Sequence, residues 1–507
     1  MACRFAHKEL ANSQGISDKH GIDCANWYQQ GTCRDGVAYV VRLFRACGAG
    51  LLDRKRKICC TMTSLRNVAL SGLLTLALVV LASSVPARAD SSGPFGLGNL
   101  FGGSGDAAAT EEAQAAAQKA EKIKADDALL DQLTPADLFV SPEAAQRLQE
   151  AIAFYQRIVD AGGWPTIKKG ETLHPGDQDE VVATLRKRLA ISGDLTKGVN
   201  DDWILDAHVQ AALIHFQRRH GLPPNGGLDV RTVYALNVPA EERLNQLRVS
   251  LARMQEFVAR GLPDRYVMVN IPAMELQAVD EGRIALKSRV IVGRLERQTP
   301  GVAAKIQGLN FFPYWKVPVS IAFKDLIPKL GKDPEYLTHE HIRVLSDPAG
   351  QEIDPHTVDW TQPQFLNIRF RQDPGDFNAL GVVRVDMPNS DDVYMHDTPL
   401  KDLFRRPQRA FSAGCVRVQR ILDLVTWLAG TNGDWDRARV DSTLAARTPV
   451  DVKLNKPIPV YFIYQTAWVD TEMGIAFRSD LYDRDGTQPQ AGAREASEPL
   501  PQQALAP

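Results

Sequence analysis

Between Asp126 and Val238 the apolar residues of this chain recur at helical spacing. Ala145, Leu148, Ile152, Tyr155 and Val159 lie alternately three and four apart, Val181, Val182, Leu185 and Leu189 form a second stripe, and Val209, Ala212, Leu213 and Phe216 a third. Gly221 predicts the end of the helix carrying Phe216, Pro223-Pro224 and Gly226-Gly227 a turn, and Asp229 a cap for a short helix ending near Leu236. Leu244 to Arg260 reads as one more helix. Beyond it the pattern becomes that of strands, at Tyr266 to Ile271, Glu275 to Val279 and Ala285 to Val292, with Asp280-Glu281-Gly282 as a hairpin turn. Further strands are expected at Gly381 to Val385, Asp392 to His396, Val450 to Leu454 and Pro457 to Tyr464, interrupted by a helix in which Ile421, Leu424, Val425 and Leu428 share a face. Residues 328–374, rich in Asp, Pro and His, read as an insertion over the sheet. The expected fold is α+β: a helical scaffold (125–175 and 238–262) enclosing a three-helix bundle (176–237), then a β-rich domain (263–485) built as a mixed-sheet sandwich.

The flanks have a different character. Met62 opens Met-Thr-Ser-Leu-Arg-Asn, an apolar stretch follows from Val68 to Ala82, and Ala87-Arg88-Ala89 precedes Asp90, which reads as a secretory leader over 62–89 cleaved after Ala89. The apolar stretch is shorter than the roughly 18 to 20 residues of a membrane-spanning helix, so no stable span is expected after cleavage. Residues 1–61 lack periodicity and read as a mis-assigned start or an extension, with a disulfide module ahead of an anchor as the alternative. Residues 90–124 and 486–507 have the composition of a flexible linker and a disordered tail. The formal charge of the whole chain is −2. Removing the net positive charge before Asp90 leaves about −9, which does not point to nucleic acid.

Six of the seven cysteines precede Met62, and Cys415 stands alone in Phe411-Ser412-Ala413-Gly414-Cys415-Val416-Arg417. A mature exported chain then holds a single thiol and no internal disulfide, and a lone thiol in an oxidising compartment suggests chemistry. His396, at the end of an expected strand, is placed to meet it. A helix expected to start near Val418 would add its positive end beside the sulfur and favour thiolate. Lowering a thiol pKa also lowers its intrinsic nucleophilicity, so most of the rate must come from orientation and from backbone N–H donors at Gly414 and Cys415 aimed at a developing oxyanion, each contributing about 3 kcal/mol. His339-Glu340-His341 has no nearby Cys or further His, so neither metal nor organic cofactor is expected.

The run His396-Asp397-Thr398-Pro399, Leu403-Phe404 and Arg409-Ala410-Phe411-Ser412-Ala413-Gly414-Cys415-Val416-Arg417 resembles the active-site signature of L,D-transpeptidases. Arg289 to Gly293, Gln298-Thr299-Pro300, Asn310 to Pro318, Arg371-Gln372 through Gly381, Trp468 and Phe477 to Tyr482 also look like the large periplasmic branch of that family. Phe216 to Leu222 with Thr232 and Leu236-Asn237 resembles the type 1 peptidoglycan-binding domain. The resemblance implies Cys415 as nucleophile and His396 as proton donor and acceptor, acting on the third residue of a peptidoglycan stem peptide. Expulsion of the terminal D-Ala leaves an acyl-thioester, which an amine resolves to a 3→3 cross-link. It also implies a wall glycan or stem peptide as partner of the helical bundle, and carbapenem-type β-lactams as covalent inhibitors.

Many relatives carry a second His before Gly-Cys, where Ala413 stands here. Ser412 either shapes the turn or hydrogen-bonds to substrate or His396; Arg417 either binds a stem-peptide carboxylate or braces the loop. Tyr314 and Trp315 read as part core, part cleft wall, and Asp397 can orient His396 through its backbone carbonyl. The reading is an exported, periplasmic cysteine acyltransferase. Carboxypeptidase or endopeptidase action, ligation of a lipoprotein to the wall, and non-catalytic wall binding are its alternatives.

Overall fold

The computed structural model describes residues 135–486, apart from 169, 331, 332, 334 and 362–366, together with residues 118 and 121. The N-terminal extension, the leader, almost all of the linker and the tail from 487 lie outside the described residues. By internal contacts the chain divides into residues 1–98 and 99–507, and everything described below belongs to the second unit.

Helix α1 (Pro142–Asp160) begins at Ser141, whose hydroxyl accepts the Ala144 amide at 3.0 Å, with proline in the first turn where its missing N–H costs nothing. Its buried face runs through Leu148, Ala151, Tyr155 and Ile158. The expected Ile152 and Val159 are only half-buried, because the small Ala151 rather than Ile152 turns inward. Three short helices follow, α2 (Val181–Ile191), α3 (Ala207–Arg219) and α4 (Val230–Asn237). They close on Leu185, Leu189, Leu213, Phe216 and Leu236, all with no exposed surface. Asp206 caps α3 by accepting the His208 and Val209 amides, and Asp229 caps α4 by accepting Thr232 N–H at 2.7 Å. Helix α5 (Ala240–Arg260) then leads to the sheet and packs along α1.

The strands are β1 (Arg265–Asn270), β2 (Glu275–Asp280), β3 (Arg283–Gly293), β4 (Val302–Phe311), β5 (Trp315–Lys316), β6 (Ile342–Ser346), β7 (Glu352–Ile353), β8 (Ile368–Gln372), β9 (Val383–Asp386), β10 (Met395–His396), β11 (Ala410–Ser412) and β12 (Val416–Val418). Helices α6 (Ile421–Ala429) and α7 (Arg437–Ala445), the long β13 (Val450–Ile463) and the hairpin of β14 (Ala467–Asp470) with β15 (Gly474–Phe477) complete the order. The main sheet runs β11-β3-β12-β10-β9-β4-β13-β1-β2, and β2 also pairs with β3, so it closes on itself. Three pairings are parallel (β1 with β13, β10 with β12, β11 with β3) and the rest antiparallel. Inside lie Val269, Leu309, Val385, Met395 and Val416, together with Ile421, Leu424, Val425 and Leu428 of α6. The α+β, mixed-sheet reading holds, with closure of the sheet as the added feature.

Four local expectations change. Strand β4, paired along both edges near the centre of the sheet, carries Ala303, Ala304, Lys305, Gln307 and Gly308, too few β-branched residues for its pattern to announce a strand. The two strands expected between Val450 and Tyr464 are one, Val450–Ile463, with a register shift between Lys453 and Ile458. Strand β10 keeps only two residues, because Asn389 gathers the Met387 and Val393 carbonyls at 2.7 Å into a turn and Asp392 takes a left-handed φ of 51°. Helix α7, whose buried residue is Val440 alone, has no stripe to betray it.

The helical bundle is joined to the sheet domain through buried arginines. Arg219 pairs with the buried Asp194 at 2.5 Å and donates to the Ile475 carbonyl at 2.9 Å. Arg478 donates back to the Arg219 carbonyl at 3.0 Å, and Gly221 lies directly against its side chain. His220 stacks between Phe216 and Phe477, at centroid distances of 3.8 and 5.6 Å. Arg243 lies over Phe477 and Arg188 over Trp164, so each buried cation faces an aromatic ring.

Candidate active site

Strands β10 and β12 run parallel, with His396 in register with Arg417, and Cys415 immediately precedes β12. On the other side β10 pairs antiparallel with β9, which sets His396 opposite Arg384. Met395 and Val416 enter the core, so alternation sends Tyr394 and His396 to the opposite face. The turn bearing Cys415 is latched from three directions. Gly414, at φ 124°, a conformation open to glycine, gives its carbonyl to the Thr299 hydroxyl at 2.8 Å and its N–H to Ser412 Oγ at 3.2 Å. Ser412 Oγ donates to the Cys415 carbonyl at 2.5 Å, and Val416 N–H to the Tyr394 carbonyl at 3.0 Å. Thr299 is held in turn by Tyr482, whose hydroxyl accepts its N–H and donates to the Gly293 carbonyl. A side chain at Gly293 would meet the Arg297 carbonyl at 2.1 Å, so the close approach of this loop depends on glycine there.

Cys415 is half-buried, and the backbone and hydroxyl of Tyr394 lie near enough to its thiol to favour the anion. Burial pushes the thiol up to about 11, and Tyr394 together with Arg417 and Arg384 only partly opposes it. His396 has no exposed surface, and burial, then the charge of Arg417, pushes its imidazole down to about 3 against a small opposing effect of the Asp397 carbonyl. Neither ring nitrogen closes a hydrogen bond among the described residues. The site therefore holds a protonated thiol and a neutral imidazole at pH 7, and nothing joins the two side chains directly. This corrects the expectation of a thiol lowered by His and a helix end: the residues after Val418 form a turn, and α6 starts only at Ile421.

Other expected site residues fall into place unevenly. Ser412 and Arg417 have no exposed surface, so Ser412 shapes the turn, and Arg417 offers a ligand no surface but casts its charge on His396. The Gly414 N–H, expected to stabilise an oxyanion, is engaged by Ser412. Tyr314 is 47% exposed with Arg371 over its ring at 4.7 Å, whereas Trp315 is buried and acts on the Tyr394 hydroxyl. Asp397 uses its carboxylate structurally, accepting Val382 N–H at 3.1 Å and pairing with Lys401. Leu337, Val344 and Phe370 of the insertion share a core with Trp315 and Ile321, which precede it, and Tyr394 and Ala413 pack against that core.

Comparison with known families completes the picture: residues 264–452 match the model described as L,D-transpeptidase catalytic domain. The chain carries an L,D-transpeptidase catalytic domain. Residues 178–236 match the model described as "Putative peptidoglycan binding domain". A Haemophilus influenzae protein named "Putative L,D-transpeptidase" is 37% identical over 229 residues, 45% of this chain and 46% of that protein. The matched part thus spans under half of that relative. The L,D-transpeptidase of Stackebrandtia nassauensis is 13% identical with a TM-score of 0.21, covering 59% of this chain and 96% of that one. The Ldtfm–avibactam carbamoyl enzyme is 11% identical with a TM-score of 0.19, covering 40% and 49% respectively.

Within the L,D-transpeptidase domain, sequence reasoning passed over two residues beside the sulfur. Tyr394 lies two positions before His396, and that period-two spacing on a strand end was the available signal. Arg384 acts electrostatically on His396, Tyr394 and Cys415, while its side chain stays 34% exposed and is braced by Asn310 and Asp386 at 2.9 Å. Its importance comes from cross-strand register, which sequence alone does not supply.

Proposed function

We propose that this chain is a murein L,D-transpeptidase that forms 3→3 cross-links through a thioester on Cys415. The observation that carries the reading is the parallel pairing that sets Cys415, just before its strand, beside the strand end that supplies Tyr394 and His396. With the thiol near 11 and the imidazole near 3, a separated ion pair lies far above the neutral pair. The proton therefore leaves sulfur as attack proceeds. As the S–C bond forms at the third stem residue, His396 takes the thiol proton, and it returns that proton to the amine of the departing D-Ala. An acceptor amine then attacks the thioester, His396 takes the amine's proton, and that proton goes to the departing sulfur. The Cys415 N–H and the Tyr394 hydroxyl are suited to the developing oxyanion, and the half-exposed Arg384 to a stem-peptide carboxylate. Carbapenem-type β-lactams would acylate the same sulfur, the ring C–N bond opening and its nitrogen taking the proton. We place the protein in the periplasm, exported by the segment ending at Ala89. Among the described residues no helix is long and apolar enough to cross a membrane.

The test is incubation with tetrapeptide muropeptides followed by mass spectrometry. Cross-linked dimers with loss of D-Ala are expected; tripeptides alone would assign hydrolysis, and unchanged input would leave wall binding. Cys415→Ala is expected to reduce product by at least about 10³-fold while leaving sacculus retention intact. Retained turnover in that variant overturns the mechanism.

A further inference from the structure

We infer that the helical bundle grips the amino-sugar backbone of peptidoglycan in a groove walled by Trp203, leaving the stem peptide to the catalytic face. The inference rests on the proposed wall function and adds which part of the polymer this module reads. The groove encloses about 540 Å³, within the range of small-ligand sites. Its wall is an indole that is 50% exposed, and its floor includes the buried Leu228 and Val233. Half of this large apolar ring is left in water, with the neighbouring Ile204 40% exposed, and indoles of this kind are enriched where one face meets a partner.

The loop carrying Trp203 is fixed by a side chain placed for that purpose. Arg186, with no exposed surface, donates to the carbonyls of Gly198, Asp202 and Ile204 at 2.7, 3.1 and 2.9 Å, and pairs with Asp206 at 2.8 Å. The Trp203 carbonyl accepts Asp179 N–H at 3.0 Å, and Gln178 bridges to Ile204. The loop backbone is thus held on both sides of Trp203, so a sugar ring stacking on the indole orders little that is not already ordered.

Charge decides between the two parts of the polymer. Glu171, Asp179 and Glu180 line the groove against Lys168, an excess of carboxylate that repels stem peptides, themselves rich in carboxylate, and accepts hydrogen bonds from sugar hydroxyls. The catalytic face has the opposite character, with Arg384 beside the sulfur. Thr166 and Thr184 add hydroxyls to the groove.

The experiment titrates the full chain with peptide-free glycan strands and, separately, with free tetrapeptide, following tryptophan fluorescence and calorimetric heat, for the wild type, Trp203→Ala and Trp203→Phe. Glycan binding is expected to weaken about ten-fold in Trp203→Ala and to be largely kept in Trp203→Phe, with turnover of soluble muropeptides unchanged in both. Glycan affinity unaltered in Trp203→Ala, or tetrapeptide binding that depends on Trp203, overturns the inference. Soluble muropeptide turnover is the independent readout. If it is absent while glycan binding depends on Trp203, the transferase reading falls and the groove stands; if it is present while glycan affinity ignores Trp203, the groove alone falls.

Discussion

Arginine gathers in two regions of this molecule to opposite effect. At the junction between bundle and sheet, Arg219 meets a carboxylate and a carbonyl, Arg478 meets carbonyls, and aromatic rings cover both guanidinium groups. There the charge is consumed locally and the result is cohesion. Around His396, burial first and then the charge of Arg417, with a smaller part from Arg384, keep a proton off an imidazole to which neither arginine bonds. The same side chain serves as mortar in one place and as a field in the other. What differs is the neighbour: at the junction a carboxylate and carbonyls face the guanidinium groups, whereas beside the sulfur the nearest titratable ring accepts no hydrogen bond from them.

Three perturbations separate these roles. Asp194→Ala should have the largest effect on stability, because it strands the Arg219 guanidinium in a dry junction; about 3 to 5 kcal/mol is expected by urea denaturation. Recovery in Asp194→Leu with Arg219→Met would show that the pair is replaceable cohesion; no recovery would show that its charge matters. The second perturbation is pH. His396 is held well below its unfolded value, so the unfolded chain takes a proton that the folded chain refuses. Its contribution to stability is complete above about pH 6.5 and is lost towards pH 3 at about 1.4 kcal/mol per unit. His396→Gln should flatten the stability profile by that slope, and an unchanged slope would show that burial and the neighbouring cations do not hold the ring neutral. The smallest effect is expected for Tyr394→Phe, which removes a hydroxyl that favours the thiolate. The thiol should move further up from about 11, slowing iodoacetamide alkylation at fixed pH by about two- to ten-fold. Faster alkylation in that variant would mean that the hydroxyl shields the sulfur rather than stabilising its anion.

Much of this could be read in the chain beforehand, for identifiable reasons. The bundle announced itself because Leu185, Leu213 and Phe216 repeat at helical spacing and Asp229 stands where a cap must be. Cys415 and His396 stood out through the residues around them, which is a matter of signature. What was not legible depends on register and depth. Arg384 and Tyr394 matter because of what lies across the sheet, and β4 hid because alanine, lysine and glycine can form a central strand when both neighbours supply hydrogen bonds. Ser412 and Arg417 were open between structural and ligand roles, and only their burial decides for the former. The thiol shift ran opposite to expectation because desolvation outweighs the cations nearby, a balance no spacing encodes.

The interlock of Arg219, Gly221 and Arg478 gives the molecule a caliper. A hinged module would let the reactive sulfur sweep over every stem within reach of a strand. With the two jaws interlocked, Trp203 and Cys415 are carried by parts that grip one another. Under the proposed function, a polymer held in one jaw would offer chiefly those stems whose spacing along the strand matches the span between them, so the arithmetic of cross-link placement would be written into a joint remote from the chemistry.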